Sequence, residues 1–213
     1  MFEDGFLPLS PLNFFELGLD CHSINETKWK DAIESKSYLF PDMGWLTNEE
    51  NPYKFYLGWC EAGIAFMLET KEPFDHPEYP NVSDGDSLDL FFDTRDLKNV
   101  GSLTRFCHHF YFLPHKVDNH DRGEITRFRQ EEAHELCDPK DLELHVVKKG
   151  STTKMKGFIP QNCLFGFDPN QFKRLGFSYR INQKYTGPIH FSVKSQEYNV
   201  EQESSLWASL NLK

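Results

Sequence analysis

The sequence predicts an all-β protein: an antiparallel β-sandwich, immunoglobulin-like or jelly-roll-like, with one or two short helices. Three observations predict it. Aromatic residues make up 15% of the 213 positions, and 20 of them are Phe, a side chain that favours pleated, half-buried surfaces. From Tyr53 onward, apolar residues recur with period 2 in about nine short runs, the spacing of a strand with one buried face. Turn residues separate the runs, and long helical patterns are absent. A chain of this length buries about 70% of its unfolded surface. Residues 15–213 are therefore expected to form a single domain behind an extended, proline-punctuated arm at residues 1–14.

The elements follow in order. "ETKWKDAI" (residues 26–33) predicts a short helical turn with Trp29 and Ile33 on one side. "YKFYLGW" and "GIAFMLET" read as a hairpin across Cys60, Glu61 and Ala62, with Gly63 at or beside the turn. A polar, Pro-rich loop leads to "SLDLFFD". There Leu88, Leu90 and Phe92 share one face, and Asp89, Phe91 and Asp93 share the other. Further strands are expected at "TRFCHHFYFL", "GEITRFR", "LELHVVKK", "TKMKGFIP", "LGFSYRIN", "PIHFSV" and "LWASLNL", with a helical turn or two near "RQEEAHEL".

The run Cys107-His108-His109 suggests a metal site, but alternation argues against it. On a regular strand, His108 lies with Phe106, Phe110 and Phe112, while His109 lies with Arg105, Cys107 and Tyr111. Adjacent histidines then face opposite sides, and zinc needs three or four convergent ligands. His108 reads as a hydrogen-bonded core histidine. The following loop offers His115, Asp118, His120 and Asp121, a set more often simply solvated. "SDGDS" (residues 83–87) offers oxygens to calcium but lacks the full Asp-x-Asp-x-Asp-Gly spacing, so turn chemistry explains it better. No metal or cofactor is assigned.

The formal net charge of −10 argues against binding a phosphate backbone, since no basic stripe offsets it. No apolar run approaches the length of a membrane span. The N-terminal residues carry acids where a signal peptide needs basic ones, so a cytoplasmic location is expected. Five widely spaced cysteines without a C-x-x-C fit buried thiols in a reducing compartment better than a disulfide framework. No nucleophile-elbow, zinc-protease or phosphate-loop motif is present, and no carboxylate pair stands out as acid and base. The chain reads as a non-enzyme.

The order "INETKWKDAI", "FYLGWCEAGIAFMLETKE", "DGDSLDLFFDTRD" resembles the family 9 carbohydrate-binding modules and their DOMON-like relatives. Those families carry an early Trp, a hairpin with a W-D-x-x-x-L-Y-like turn, and a G-D-S-x-E strand ending in two hydrophobic residues and Asp. The match is clearest over residues 24–96. It implies a stand-alone β-sandwich that binds a sugar or glycan on the outer or concave face of one sheet, without catalysis. The acidic position of the G-D-S strand, which contributes to sugar binding in the family, is Asp89 here. Cys60 stands where the family turn has Asp, and Tyr79 is the nearest aromatic before the strand.

The residues themselves nominate the same face. The non-core sides of the strands collect Asp89, Phe91, Arg105, His109, Tyr111, Arg180, Asn182, His190 and Trp207. Arg, Asp, Asn and His hydrogen-bond sugar hydroxyls, and Trp or Tyr stack on the ring. Trp207, Arg180, Asp89, His109, Tyr111 and Asn182 are the candidate ligand-binding residues. Trp207 is expected to be exposed, and Arg180 to need an acceptor. Trp29, Trp45 and Trp59 read as packing residues. The alternative is a protein-interaction or assembly domain that kept the sandwich and lost the sugar. A haem or metal protein, known among DOMON relatives, would need paired axial ligands, and Met67 with the histidines gives no convincing pair.

Overall fold

The computed structural model describes residues 17–44, 50–100, 102–128, 132–193 and 198–213. The arm at 1–14 and Trp45 lie outside them. Among the described residues, eleven strands form two facing sheets. They are β1 (Gly18–Cys21), β2 (Tyr53–Cys60), β3 (Gly63–Thr70), β4 (Ser87–Asp93), β5 (Cys107–Val117), β6 (His120–Glu124), β7 (Glu143–Lys149), β8 (Thr152–Pro160), β9 (Arg174–Asn182), β10 (Ile189–His190) and β11 (Ala208–Leu212). The larger sheet has the order β1-β11-β9-β4-β5-β6, with β10 also paired to β9; the smaller is β2-β3-β8-β7. All pairs are antiparallel except β1 with β11.

Alternation places the core where it was expected. Leu88, Leu90 and Phe92 of β4 meet Phe110 and Phe112 of β5 and Leu175, Phe177, Tyr179 and Ile181 of β9. The smaller sheet answers with Phe55, Leu57, Phe66, Leu68 and Met155. Ring pairs cross the gap: Phe66 and Phe112 centroids are 4.5 Å apart, and Phe55 and Tyr179 are 4.6 Å apart. The outer face of the smaller sheet is also covered. A 3-10 turn (Glu26–Lys28), capped by the Asn25 side chain, runs into α1 (Trp29–Ala32). Trp29 and Ile33 pack over Tyr56, Ala65, Met67 and Phe158, as the helical spacing of "ETKWKDAI" requires. Met67 is fully buried within that packing.

The β2–β3 hairpin turns on Glu61 and Ala62, and Gly63 opens β3 with φ +149°. A Cβ at Gly63 would lie 2.2 Å from the Ile159 carbonyl oxygen of β8, so only glycine brings the two strands together there.

Several expectations are corrected. Residues 18–21 form a short strand that the sequence reading lacked; a Gly and an Asp in four residues carry little β signal, and β11 supplies the pairing. "GEITRFR" is strand only to Glu124, because β5 and β6 form a hairpin closed by Asp118 and Asn119, both at positive φ. The loop expected at 114–124 is that hairpin. "RQEEAHEL" has no helix in its described part, residues 132–136. Cys137 and Cys163 are joined by a disulfide, against the expectation of free thiols; Cys21, Cys60 and Cys107 are free and buried. Spacing alone does not show that the 132–141 segment folds back against the turn after β8. Among the described residues, no helix is long and apolar enough to cross a membrane.

Candidate functional site

The outer face of the larger sheet holds a buried polar cluster. Register explains its assembly. Asp89 of β4 lies opposite Tyr111 of β5 and Arg180 of β9, and Arg180 lies opposite His190 of β10. Opposed residues share a face, so one row crosses four strands. Phe91 opposite His109 forms the next row, and Ser87 opposite Asn182 flanks on the other side. Five of the six candidate ligand-binding residues therefore share one face, together with Phe91 and His190, and Trp207 joins them by packing on Phe91. Arg105 does not join them; it precedes β5 and pairs with the exposed Glu132.

Asp89 is the centre. Its Oδ2 accepts hydrogen bonds from Arg180 Nη2 at 2.6 Å, Arg180 Nε at 3.2 Å and Asn182 Nδ2 at 2.9 Å. His109 Nε2 stands 3.6 Å from the same oxygen. Among the described residues, Asp89 Oδ1 and His109 Nε2 have no hydrogen-bond partner. Burial alone would raise the Asp89 carboxyl, but the Arg180 charge, His109 and the Asn182 amide outweigh it and hold the group at about 2. Burial likewise works against the Arg180 cation, and the Asp89 and Glu201 carboxylates push its pKa above the usual value.

Glu201 is the member of this cluster that the sequence reading missed. It comes from the segment between β10 and β11, and its Oε1 lies 2.5 Å from Arg180 Nη2. The same segment covers the face. Val193, Val200 and Trp207, with Tyr198 and Leu206, pack on Phe91 and Leu103. The expectation that Trp207 is exposed is therefore corrected. It is 3% exposed, its Nε1 donates to the Val200 carbonyl at 2.8 Å, and its ring lies 5.7 Å from that of Phe91. Alternation gave Trp207 the outer side but could not show that residues 198–207 fold back across it. Tyr111 is equally buried, beside Val82, Leu113 and Tyr79.

An acid prediction arises here. Folding depresses the Asp89 pKa from 3.8 to about 2, so the fold favours the ionised form. The stability from this preference is fully present above about pH 4 and is lost as pH falls toward 2, a loss of about 2 kcal/mol. Urea unfolding at pH 7, 4 and 3 should show a steeper loss for the wild type than for Asp89→Asn. Parallel losses would mean that Asp89 does not titrate as a buried, paired group.

The other candidate sites resolve separately. "SDGDS" is turn chemistry: Asp86 accepts the backbone N–H groups of Asp75, His76 and Lys184, and Ser87 Oγ donates to the Val82 carbonyl. His115 stands 3.8 Å from Asp75, His120 stacks on Tyr79, and Asp121 pairs with Arg122. Each of these hairpin residues thus has a different neighbour. His108 is buried on the core side of β5 and bonded to Glu124, which also meets His134. Burial raises the Glu124 carboxyl, but its contacts with His108 and His134 prevail and hold it at about 2.

No family model matches the chain, and no curated protein matches it with significance. Solved structures do. A family 9 carbohydrate-binding module from Caldicellulosiruptor kristjanssonii in complex with cellotriose superposes with a TM-score of 0.59 at 14% identity, over 92% of this chain and 93% of that one. A family 9 module from the same organism in complex with glucose gives 0.58 at 13% identity, over 92% and 95%. A candidate carbohydrate-binding protein from Bacteroides uniformis gives 0.60 at 9% identity, over 92% and 99%. The chain has a β-sandwich fold like that of the family 9 carbohydrate-binding modules.

Proposed function

We propose that the chain is a non-catalytic, carbohydrate-binding-like module that meets a sugar or glycan on the outer face of its larger sheet. The observation that carries this reading is the Asp89–Arg180–Asn182 cluster, a charge-assisted network with Asp89 Oδ1 and His109 Nε2 beside it unpaired among the described residues. Such a set matches the donor and acceptor fan of a pyranose. Arg180, Asp89, Asn182 and His109 take the hydroxyls, and Tyr111 and Trp207 supply the apolar walls. Structural likeness to modules solved with cellotriose and glucose supports the same assignment. Because the segment at 198–207 covers the face, a sugar reaches it only when Glu201 releases Arg180.

The burial of Trp207 and the Glu201–Arg180 contact favour a second reading, an assembly domain whose former sugar face is closed by its own chain. Thermal shift with glucose, cellotriose and a glycan panel separates the two. A ligand at 100 times its Kd stabilises by about 2.7 kcal/mol, or about 5–10 °C for a domain of this size. The binding reading expects that shift, a larger one in Glu201→Ala, and its loss in Arg180→Ala. Absence of any shift in both the wild type and Glu201→Ala would leave the assembly reading.

A further inference from the structure

A second polar cluster lies away from the Asp89 face, on the core side of β5. His108 comes from β5, Glu124 ends β6, and His134 arrives on the segment that the Cys137–Cys163 disulfide ties down. His108 Nδ1 lies 2.9 Å and His134 Nε2 lies 3.0 Å from the same oxygen, Glu124 Oε1. The three ligand atoms all fall within 4.8 Å of one another, and the three side chains are at most 2% exposed. The outer nitrogens face main-chain carbonyls: His134 Nδ1 is 2.6 Å from the Arg105 oxygen, and His108 Nε2 is 3.4 Å from the Phe165 oxygen.

A carbonyl oxygen only accepts, so the 2.6 Å contact with Arg105 places the His134 N–H outward, and a neutral imidazole carries one N–H. His134 Nε2 then presents a lone pair to Glu124 Oε1, a contact that a cation between them would turn from repulsive to favourable. Further features favour a cation. Two imidazole nitrogens and one carboxylate oxygen form a zinc donor set. Outward N–H groups on backbone carbonyls are the usual support of metal-binding histidines. Glu124 is itself oriented, since Oε1 accepts from Thr126 Oγ1 and Oε2 from the Cys137 N–H, both at 2.8 Å. With zinc bonds of about 2.0–2.1 Å in tetrahedral geometry, ligand atoms stand about 3.4 Å apart, so the two N···O separations need to widen by about half an ångström, and the two nitrogens, within 4.8 Å of each other, need to settle at the same spacing. A cavity of about 520 Å³, lined by His134, Cys137, Asp138, Asn162 and Phe165 among others, adjoins the cluster at His134.

We propose that His108 Nδ1, Glu124 Oε1 and His134 Nε2 bind one zinc-type divalent transition ion, with a fourth position open toward this cavity. The ion would tie β5, β6 and the 132–141 segment together at the point where the disulfide also acts. The proposal is independent of sugar binding.

The test uses the full chain, disulfide intact, stripped with chelator and titrated with Co²⁺ and then Zn²⁺. Expected are the visible absorption bands of four- or five-coordinate Co²⁺ without thiolate charge-transfer bands, displacement by Zn²⁺, and one metal per chain by elemental analysis. Glu124→Gln and His134→Ala should weaken Zn²⁺ binding at least tenfold, and the surface variant His145→Ala should not. Wild-type protein that binds neither ion stoichiometrically overturns the proposal. So do thiolate bands, or a His134→Ala variant with wild-type affinity. The wild-type titration decides the matter even if a variant fails to fold.

Discussion

Arg180→Met should lower unfolding stability by about 3–5 kcal/mol, the usual cost of removing one partner from a buried ion pair. Methionine keeps most of the stem's apolar volume, so the loss reports the charge. Asp89 is completely buried and would retain only Asn182 as a hydrogen-bond donor, with His109 at 3.6 Å. Glu201, also deprived of Arg180, is 31% exposed and is rehydrated at little cost. The penalty therefore arises at Asp89. Two corollaries follow. The double variant Asp89→Leu with Arg180→Met should recover most of the loss, because an apolar pair leaves no stranded charge. The penalty of the single variant should also shrink as pH falls toward 4, because burial raises the Asp89 carboxyl once the Arg180 charge is gone and the group then takes up a proton. Guanidinium unfolding followed by Trp fluorescence gives all three numbers. A single variant within about 1 kcal/mol of wild type would mean that the Asp89–Arg180 contact is solvated and not a buried pair.

Phe177→Ala should cost about 3–5 kcal/mol through the cavity it leaves, with lost ring contacts placing it at the upper end. Phe177 is the hub of the aromatic core. Its ring lies 5.1 Å from Phe92, 5.5 Å from Phe40, 5.8 Å from Phe55 and 5.9 Å from Phe191. These partners belong to both sheets and to the segments that flank them, so no single neighbour can collapse into the space. Phe177→Leu, which preserves most of the volume, should cost less than half as much. The melting temperature of the alanine variant should fall by roughly 6–20 °C. A fall of under 3 °C would show that the two sheets close over the gap and that the core is less rigid than its packing implies.

The two residues lie on the same strand, β9, and were legible to different degrees. Leu175, Phe177, Tyr179 and Ile181 announce their core face through alternation alone, because a strand places every second side chain on the same side whatever its partners are. The same rule put Asp89, His109, Tyr111, Arg180 and Asn182 on the opposite face. That Arg180 needs an acceptor was also legible, since a guanidinium between core aromatics cannot remain unpaired. The acceptor's identity was not. It required the register that sets Asp89 opposite Arg180, and register is a property of two strands 91 positions apart. His108 shows the same division. Its place on the core side followed from period 2, whereas Glu124 and His134 became its neighbours through a hairpin and a returning loop.

What the sequence determined by itself was the sandwich, the composition of its two faces along each strand, the helical turn that buries Trp29 and Ile33, and the chemistry available on the polar face. These follow from periodicity and side-chain solubility, which act over a few residues. The tertiary structure alone decided that Asp89 and Arg180 are neighbours, that Glu201 and Trp207 close over them, that Cys137 meets Cys163, and that two histidines share one carboxylate. Each of those depends on where an irregular segment settles. Irregular segments carry no period, and they come to rest wherever distant side chains complete their hydrogen bonds and bury their apolar surface.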